Sequence, residues 1–381
     1  MSKKGRKIDE NDPFRYVIYI GPSTEESTNL RELILCLKRN MPMFDYITIP
    51  YYGKHWRRWL SLWNIIIRLG FIRLFTHKKI AQLFGSDGCN WDIKSAIMRW
   101  AKRFGYKTIY QSLGGTYQQF TEYRNSKQLS DDLNDIDLVL IPSGIRQRWF
   151  IQNFNINNSR VMRTMIEKPS DEEKMEPSPI PVALFTGMFT DEKGVFDIVE
   201  CVAKYHEKLK GKIKVLMAGH GDGARLRQAV TDKGVDDIID VLGWLNDANK
   251  AFLITGSDLF ILMSYHELMP VNAVEAMLAG LAVIATPVGA VPELVEDGKT
   301  GFIVPEGDID ALYGALETYI RSPRLLKEHG QAAAEKLSDF LPQAVIARYR
   351  KFYHELLDNN TKETDESDRN DDRSGAAEKP D

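Results

Sequence analysis

The chain has 381 residues, 43% hydrophobic and 27% charged, with a formal net charge of −3. That length suits two ordinary domains with sizeable cores, and the near-neutral charge gives no general pull toward nucleic acid or acidic surfaces. Three widely spaced cysteines, Cys36, Cys89 and Cys201, point to a reducing compartment rather than a disulfide framework, and no histidine stands at zinc-ligand spacing from them.

In chain order, MSKKGRKIDENDPF is charged and lacks the apolar stretch of a secretory signal. YVIYIG (16–21) is a continuous apolar run closed by glycine, as a buried parallel strand would be. A helix pattern, NLRELILCLKRN, and a strand pattern, DYITIP, follow. The segment KHWRRWLSLWNIIIRLGFIRLFTHKK (54–79) then places Trp56, Trp59, Leu60, Trp63, Ile66 and Ile67 at helical spacing, with Arg57, Arg58 and Arg68 toward another face. Arg68 and Arg73 interrupt it, so it falls short of the ~20 uncharged residues a membrane span requires. Two readings stand for it. The βα order demands a helix packed on the sheet, whereas three tryptophans beside arginines suit a patch at the headgroup level of a bilayer.

KIAQLFG, KTIYQS and IDLVLIPS read as further strands, separated by WDIKSAIMRWAKRFG and followed by IRQRWFIQNF as helices. Residues 168–181, KPSDEEKMEPSPIP, are rich in proline and charge and read as a linker between a domain over 1–167 and one over 182–335. The βα rhythm restarts at VALFTG and continues through VFDIVECVAKYHEKL, KIKVLMAG, IIDVLG, DLFILMS, AVIATP and GFIVP. Repeated βα units imply parallel sheets covered on both faces. Such sheets bind ligands beyond their strands' carboxyl ends, so two facing α/β domains would enclose a cleft. A helix over 336–357 precedes an acidic tail, 358–381, without aromatic or branched aliphatic residues, which is expected to be disordered.

Chemistry concentrates between His266 and Val304. Glu267 falls in a short loop after the strand DLFILMS, and Glu275 lies eight positions on, inside the helix that Pro270 opens. The first N–H groups of that helix, about Met269 to Asn272, carry its positive dipole end and suit a phosphate. A carboxylate can accept two hydroxyl hydrogen bonds, which suits a vicinal diol. Sugar hydroxyls, diphosphate and ribose diol follow one another in that order in a sugar nucleotide. GHGDG (219–223) reads as a strand-to-helix turn, and the two DID triplets, Asp135–Asp137 and Asp308–Asp310, read as structural rather than metal-binding.

The pair, with EAMLAGLAVIATPVGAVPELVEDGKTGFIVPEGD after it, resembles the retaining family 4 glycosyltransferases of GT-B fold (glycosyl transferases group 1). TGMFTDEKGVFDIVECVA, MAGHGDGARL and VLGWLNDANKAFLITGSDLFILMSYHE are similar to further motifs of that family, and the likeness is strong over 182–310. It implies two Rossmann-like domains with the last helix returning toward the first. It implies that Glu275 holds the donor ribose and Glu267 the sugar hydroxyls. Lys193 would neutralise the leaving phosphate, and Met269, Pro270, Val271, Gly187 and Gly21 would line the donor. Neither a cofactor nor a metal is implied. The acceptor, a glycan or lipid-linked sugar, would meet the N-terminal domain, with Trp56, Trp59, Trp63, Arg57 and Arg58 as acceptor or membrane contacts. The expected location is cytoplasmic, with contact at the cytoplasmic face of the membrane.

The motif departs at named places. Met188 stands where the family carries a phosphate-binding arginine, with Arg225 or Arg146 as substitutes, and Leu113 where members often carry histidine. The N-terminal loop has only Gly21 where a glycine pair is usual, the pair falling instead at Gly114 and Gly115. The reading is a retaining hexosyl- or related transferase of cell-surface polysaccharide or glycolipid synthesis. Its alternatives are an inactive GT-B partner subunit and a sugar-nucleotide epimerase.

Overall fold

The computed structural model describes residues 12–22, 29–49, 55–85, 91–113, 126–169 and 178–374; side chains at 29–32, 55–58, 126, 247 and 359–374 lie outside that description. The chain forms two compact units. One takes the described residues up to Pro142, then Gln147–Thr164 and the chain from Pro342; the other takes Ser143–Arg146 and Met165–Leu341.

In the first unit, strands β1 (Val17–Pro22), β2 (Tyr46–Ile49), β3 (Ile80–Gly85), β4 (Lys107–Ser112), β5 (Leu138–Ile141) and β6 (Ser159–Val161) alternate with helices. The helices are α1 (Asn29–Asn40), α2 (His55–Phe75), α3 (Trp91–Arg103), α4 (Ser126–Asn134) and α5 (Gly144–Phe154). The six strands form one parallel sheet in the order β2-β1-β3-β4-β5-β6. β3 is buried along its whole length, which explains why its sequence, apart from Gln82, is apolar without alternation.

The second unit repeats the plan. β7 (Val182–Phe189), β8 (Lys214–Gly221), β9 (Ile239–Gly243), β10 (Leu259–Leu262), β11 (Ala282–Ala285) and β12 (Gly301–Ile303) form a parallel sheet ordered β12-β11-β10-β7-β8-β9. Its helices are α6 (Val195–Lys204), α7 (His206–Leu209), α8 (Gly223–Asp232), α9 (Asp247–Thr255), α10 (Val271–Ala279), α11 (Val291–Leu294), α12 (Ile309–Arg321) and α13 (Pro323–Lys336). One core lies on each face of this sheet, built around Phe185, Met217 and Ile261 on one side and Leu184, Phe260 and Met277 on the other. From β7 the chain winds outward through β8 and β9, then returns to place β10 on β7's other side. Winding therefore reverses between β7 and β10, the position where an open α/β sheet leaves a crevice beyond its carboxyl edge.

The last helix, α14 (Pro342–Ser374), belongs to the first unit. Its Tyr349 and Tyr353 donate hydrogen bonds to Gln111 Oε1 at 2.6 Å and Gln82 Oε1 at 2.5 Å, and Gln82 Nε2 donates to Gln111 Oε1 at 2.7 Å. All four side chains are buried. Burial pushes both phenols well above their ordinary range, so they remain donors.

Two expectations need correction. The stretch expected to be disordered from 358 instead continues α14 as far as Ser374. No glycine or proline interrupts residues 343–374, so nothing breaks the backbone ladder. The helix pattern VFDIVECVAKYHEKL is divided at Tyr205, whose ring stacks on Tyr313 at 3.8 Å.

Candidate active site

Two strand ends meet at the winding reversal. After β7 a single 3-10 turn, Asp191–Lys193, leads through Gly194 into α6. After β10 the chain runs through Ser264 and Glu267 to Pro270, the residue that opens α10. Tyr265 N–H donates to Glu192 O at 2.9 Å, tying the two loops together. Lys193 Nζ then reaches Glu267 Oε1 at 2.6 Å, and the Ser264 hydroxyl donates to the same oxygen at 2.9 Å. The carboxylate is largely shielded and the ammonium partly so, with side-chain exposures of 11% and 26%. The ion pair is therefore much less screened than one on the open surface.

Two glycines permit this approach. Gly194 has φ +63° and a Cβ there would lie 2.0 Å from Met263 O; Gly289 has φ +55° and a Cβ would lie 2.0 Å from Glu267 O. Backbone crosses backbone at both points, so no side chain fits.

Helix α10 has no side-chain cap at its N-terminus. Asn272 Nδ2 instead donates to Thr186 O at 2.7 Å, fastening the first turn to the end of β7 beside Gly187. The opening amides of α10, from Val271 on, therefore face the region beyond the sheet edge with the positive end of the helix dipole. Met269, Pro270 and Val271 sit at this terminus.

Glu275 lies about one turn into α10 from Val271, and both its oxygens accept from Lys250 Nζ of α9, at 2.9 and 3.0 Å. The pair is mostly shielded, with side-chain exposures of 17% for Glu275 and 32% for Lys250. A carboxylate has about four acceptor positions, so two remain open to other donors. The structure thus gives each glutamate its own lysine.

Met188 is 45% exposed at the end of β7. Of the two arginines considered in its place, Arg225 grips Asp191 through both nitrogens at 2.8 and 2.9 Å and lies over the Phe196 ring at 4.1 Å. Its guanidinium holds the Asp191 carboxyl below the usual range. Arg146 is buried at the first turn of α5. Neither has a contact with Lys193, Glu267 or Glu275 among those found in the described residues.

In the first unit Gly21 is the penultimate residue of β1, and a Cβ there would lie 2.5 Å from the Tyr46 hydroxyl oxygen. Leu113 follows β4 and its N–H donates to Gly85 O. Trp59 and Trp63 are exposed on α2, whereas the side chains of Trp56, Arg57 and Arg58, as well as Gly114, Gly115 and Cys89, lie outside the described residues. Both DID triplets have structural partners. Asp137 accepts from Thr108 N–H and hydroxyl at 2.8 Å each, and Asp308 caps α12 through the N–H groups of Asp310 and Ala311. Asp222 likewise caps α8 at the GHGDG turn. Among the described residues no three acidic, histidine or cysteine side chains gather as a metal site would require.

Sequence reasoning missed Ser264, Lys250 and the side chain of Asn272, whose backbone alone it had placed at the helix start. Ser264 had a signal, because it directly follows a buried strand at its carboxyl end, where site residues collect. Lys250 and Asn272 act across elements, and no spacing rule links them to their partners.

Residues 167–336 match the family model described as Glycosyl transferases group 1. The chain is 29% identical over 171 residues to N-acetyl-alpha-D-glucosaminyl L-malate synthase of Bacillus anthracis, covering 44% of each chain. It is 28% identical over 181 residues to phosphatidyl-myo-inositol mannosyltransferase of Mycobacterium leprae, covering 47% of this chain and 48% of that one. It is also 30% identical over 165 residues to the putative colanic acid biosynthesis glycosyltransferase WcaL of Salmonella typhimurium, covering 41% and 40%. The matches thus span less than half the length of these curated relatives. Among solved structures, Anabaena Alr3699/HepE in complex with UDP superposes with a TM-score of 0.70 at 15% identity, covering 89% of this chain and 99% of that one. A glycosyltransferase from Rickettsia africae ESF-5 gives 0.71 at 18% identity, covering 91% and 99%.

Proposed function

We propose that the chain is a retaining glycosyltransferase, because residues 167–336 match the glycosyl transferases group 1 model and the fold is that of the GT-B enzymes. It moves a sugar from a nucleotide diphosphate sugar to a glycan or lipid-linked acceptor, in the synthesis of a cell-surface polysaccharide or glycolipid. The observation that carries this reading is the arrangement at the winding reversal. Lys193 is paired with Glu267 beside the uncapped start of α10, and Glu275 lies further along the same helix.

The chemistry follows from those charges. The donor diphosphate settles against the α10 amides, with Lys193 as the point charge that meets the growing negative charge on the leaving phosphate. Ser264 and Lys193 fix the orientation of Glu267, so its second oxygen can accept hydroxyl hydrogen bonds from the transferred sugar. Glu275 offers its remaining acceptor positions to the ribose diol, with Lys250 holding the carboxylate in place. Lys193 and the helix dipole supply the positive charge at the diphosphate, so the reading takes donor binding to be independent of metal. WcaL and the mannosyltransferase are named for polymer and glycolipid synthesis, which supports the acceptor class. The Anabaena structure holds UDP, which makes uridine nucleotides the first donors to try.

Met188 favours one second reading, a chain that keeps donor binding but has lost turnover, since the family's arginine is absent and Arg225 is engaged elsewhere. A thermal-shift screen of UDP-, GDP- and ADP-sugars in EDTA tests the donor site. A ligand at a hundred times its dissociation constant stabilises by ~2.7 kcal/mol, so one base class should raise Tm clearly and the others should not. Silence with every donor, with and without magnesium, would remove the transferase reading. Binding without sugar release into any acceptor would support the partner-subunit reading. Retention is checked by NMR on the anomeric proton of the first product formed.

A further inference from the structure

Helix α2 is apolar on two sides. Leu62, Ile65, Ile66 and Leu69 are buried in the core of the first unit. Trp59, Trp63, Ile67, Phe71 and Phe75 recur every fourth residue on the other side, and each is more than half exposed. Leu74, within this arc, is 75% exposed. A helix that covers a sheet needs one apolar stripe, with polar residues opposite. Here the opposite side is apolar too, and its rings organise one another: Phe71 and Phe75 stack with centroids 6.0 Å apart, and Trp63 leans on Trp100 of α3 at 6.3 Å. An exposed apolar strip of this length on a soluble unit marks a contact surface.

The surrounding charge says what kind of contact. From residue 46 to 86 the chain has seven Lys or Arg and no Asp or Glu, although the whole chain is net negative. Arg68 is exposed on the helix and Lys79 just beyond it. Arg103 of α3 lies 5.2 Å over the Trp100 ring, placing a cation beside the aromatic strip. Lys78 and Arg73 are used internally: Lys78 is buried against Val17 O and Asp45, and Arg73 lies over the Tyr106 ring. A groove on a protein partner would have to offer acids matched to each cation. A lipid surface needs only a diffuse negative charge above an apolar layer, which is what this face complements. No described helix is long and apolar enough to cross a membrane, and Arg68 and Arg73 punctuate α2 itself, so the helix suits lying along a surface.

We propose that the exposed face of α2 lies in the headgroup layer of a bilayer containing anionic lipid, with the tryptophans and phenylalanines below the phosphates and Arg68, Lys79 and Arg103 among them. The proposal stands apart from the transferase reading, because a chain without turnover would bind lipid equally well.

Co-sedimentation of the full chain with vesicles tests it, using phosphatidylcholine alone and phosphatidylcholine with a third phosphatidylglycerol. Binding is expected to the mixed vesicles and to fall with added salt. The variant Trp59→Ser/Ile67→Ser/Phe71→Ser should weaken it at least about tenfold, the effect of withdrawing large apolar groups. Those side chains lie outside the core, so Tm should hold. Arg68→Glu, with the apolar strip intact, should weaken binding to the mixed vesicles and leave any residual binding to neutral ones unchanged. Absence of binding to either vesicle, or equal binding by the triple variant, would overturn the proposal. So would self-association in sedimentation velocity that the triple variant abolishes, which would give the face to a second copy of the chain.

Discussion

Glu267 and Glu275 each depend on groups far away in the chain. Lys193 was legible beforehand because it stands in a motif that resembles a known family. Lys250 was not, because its role arises only when α9 packs beside α10. The same holds for Gly289, which a sequence shows only as one glycine of PVGAVPE, whereas the structure shows it passing directly under the Glu267 carbonyl. Gly298 provides a control, because it too has positive φ (+73°) but nothing lies within 4 Å of where its Cβ would be. Gly298→Ala should therefore cost only the left-handed backbone penalty, about 1–2 kcal/mol. Gly289→Ala should cost that and more, and should lower turnover by displacing Glu267. Equal Tm losses for the two variants, with full activity in both, would show that the crossing does not hold the glutamate in place.

At the level of elements, β5, β10 and β11 were easy to read because they are buried in parallel sheets and appear as unbroken apolar runs, whereas the short, polar β6 gave no such signal. Helix periodicity placed α2 correctly, but periodicity alone cannot say which of two apolar faces a sheet will take. The helix α13 was invisible as a functional or structural element, and it carries a buried histidine. His329 receives or donates one hydrogen bond at 2.8 Å with the Tyr319 hydroxyl, and burial lowers its affinity for a proton, against the opposite pull of Gly298 O, Glu328 and Asp297. The unfolded chain protonates this ring near pH 6.5, whereas the folded chain resists until lower pH. Its contribution to stability is thus complete above about pH 6.5 and is lost as pH falls below that. His329→Phe should lower stability at pH 7.5 but flatten the decline in Tm between pH 6.5 and 5. An unchanged slope would mean that other groups set it.

For the molecule as a whole, the two-unit plan was legible from the restart of the βα rhythm at VALFTG. The polar seam under α14 was not, since glutamines on β3 and β4 look like interruptions of a strand until the tyrosines arrive above them. Replacing both phenols, Tyr349→Phe with Tyr353→Phe, removes both hydrogen bonds to the glutamines and the Tyr19–Tyr353 hydroxyl contact, and leaves the buried Gln82 Oε1 short of a donor while Gln111 Oε1 keeps Gln82 Nε2. The expected cost is about 2–5 kcal/mol, measured by denaturant unfolding and concentrated in the transition of the first unit. A loss under about 0.5 kcal/mol would show that water takes the place of the hydroxyls.

The same helix sets an order of events during synthesis. The first unit's sheet is complete once β6 has been made, yet its seam stays open until Tyr353 emerges, after the whole second unit. At ribosomal speeds that interval lasts roughly 10–40 s. The half of the chain that is made first is therefore finished last, and Gln82 and Gln111 stand without their tyrosines until the later half has been made.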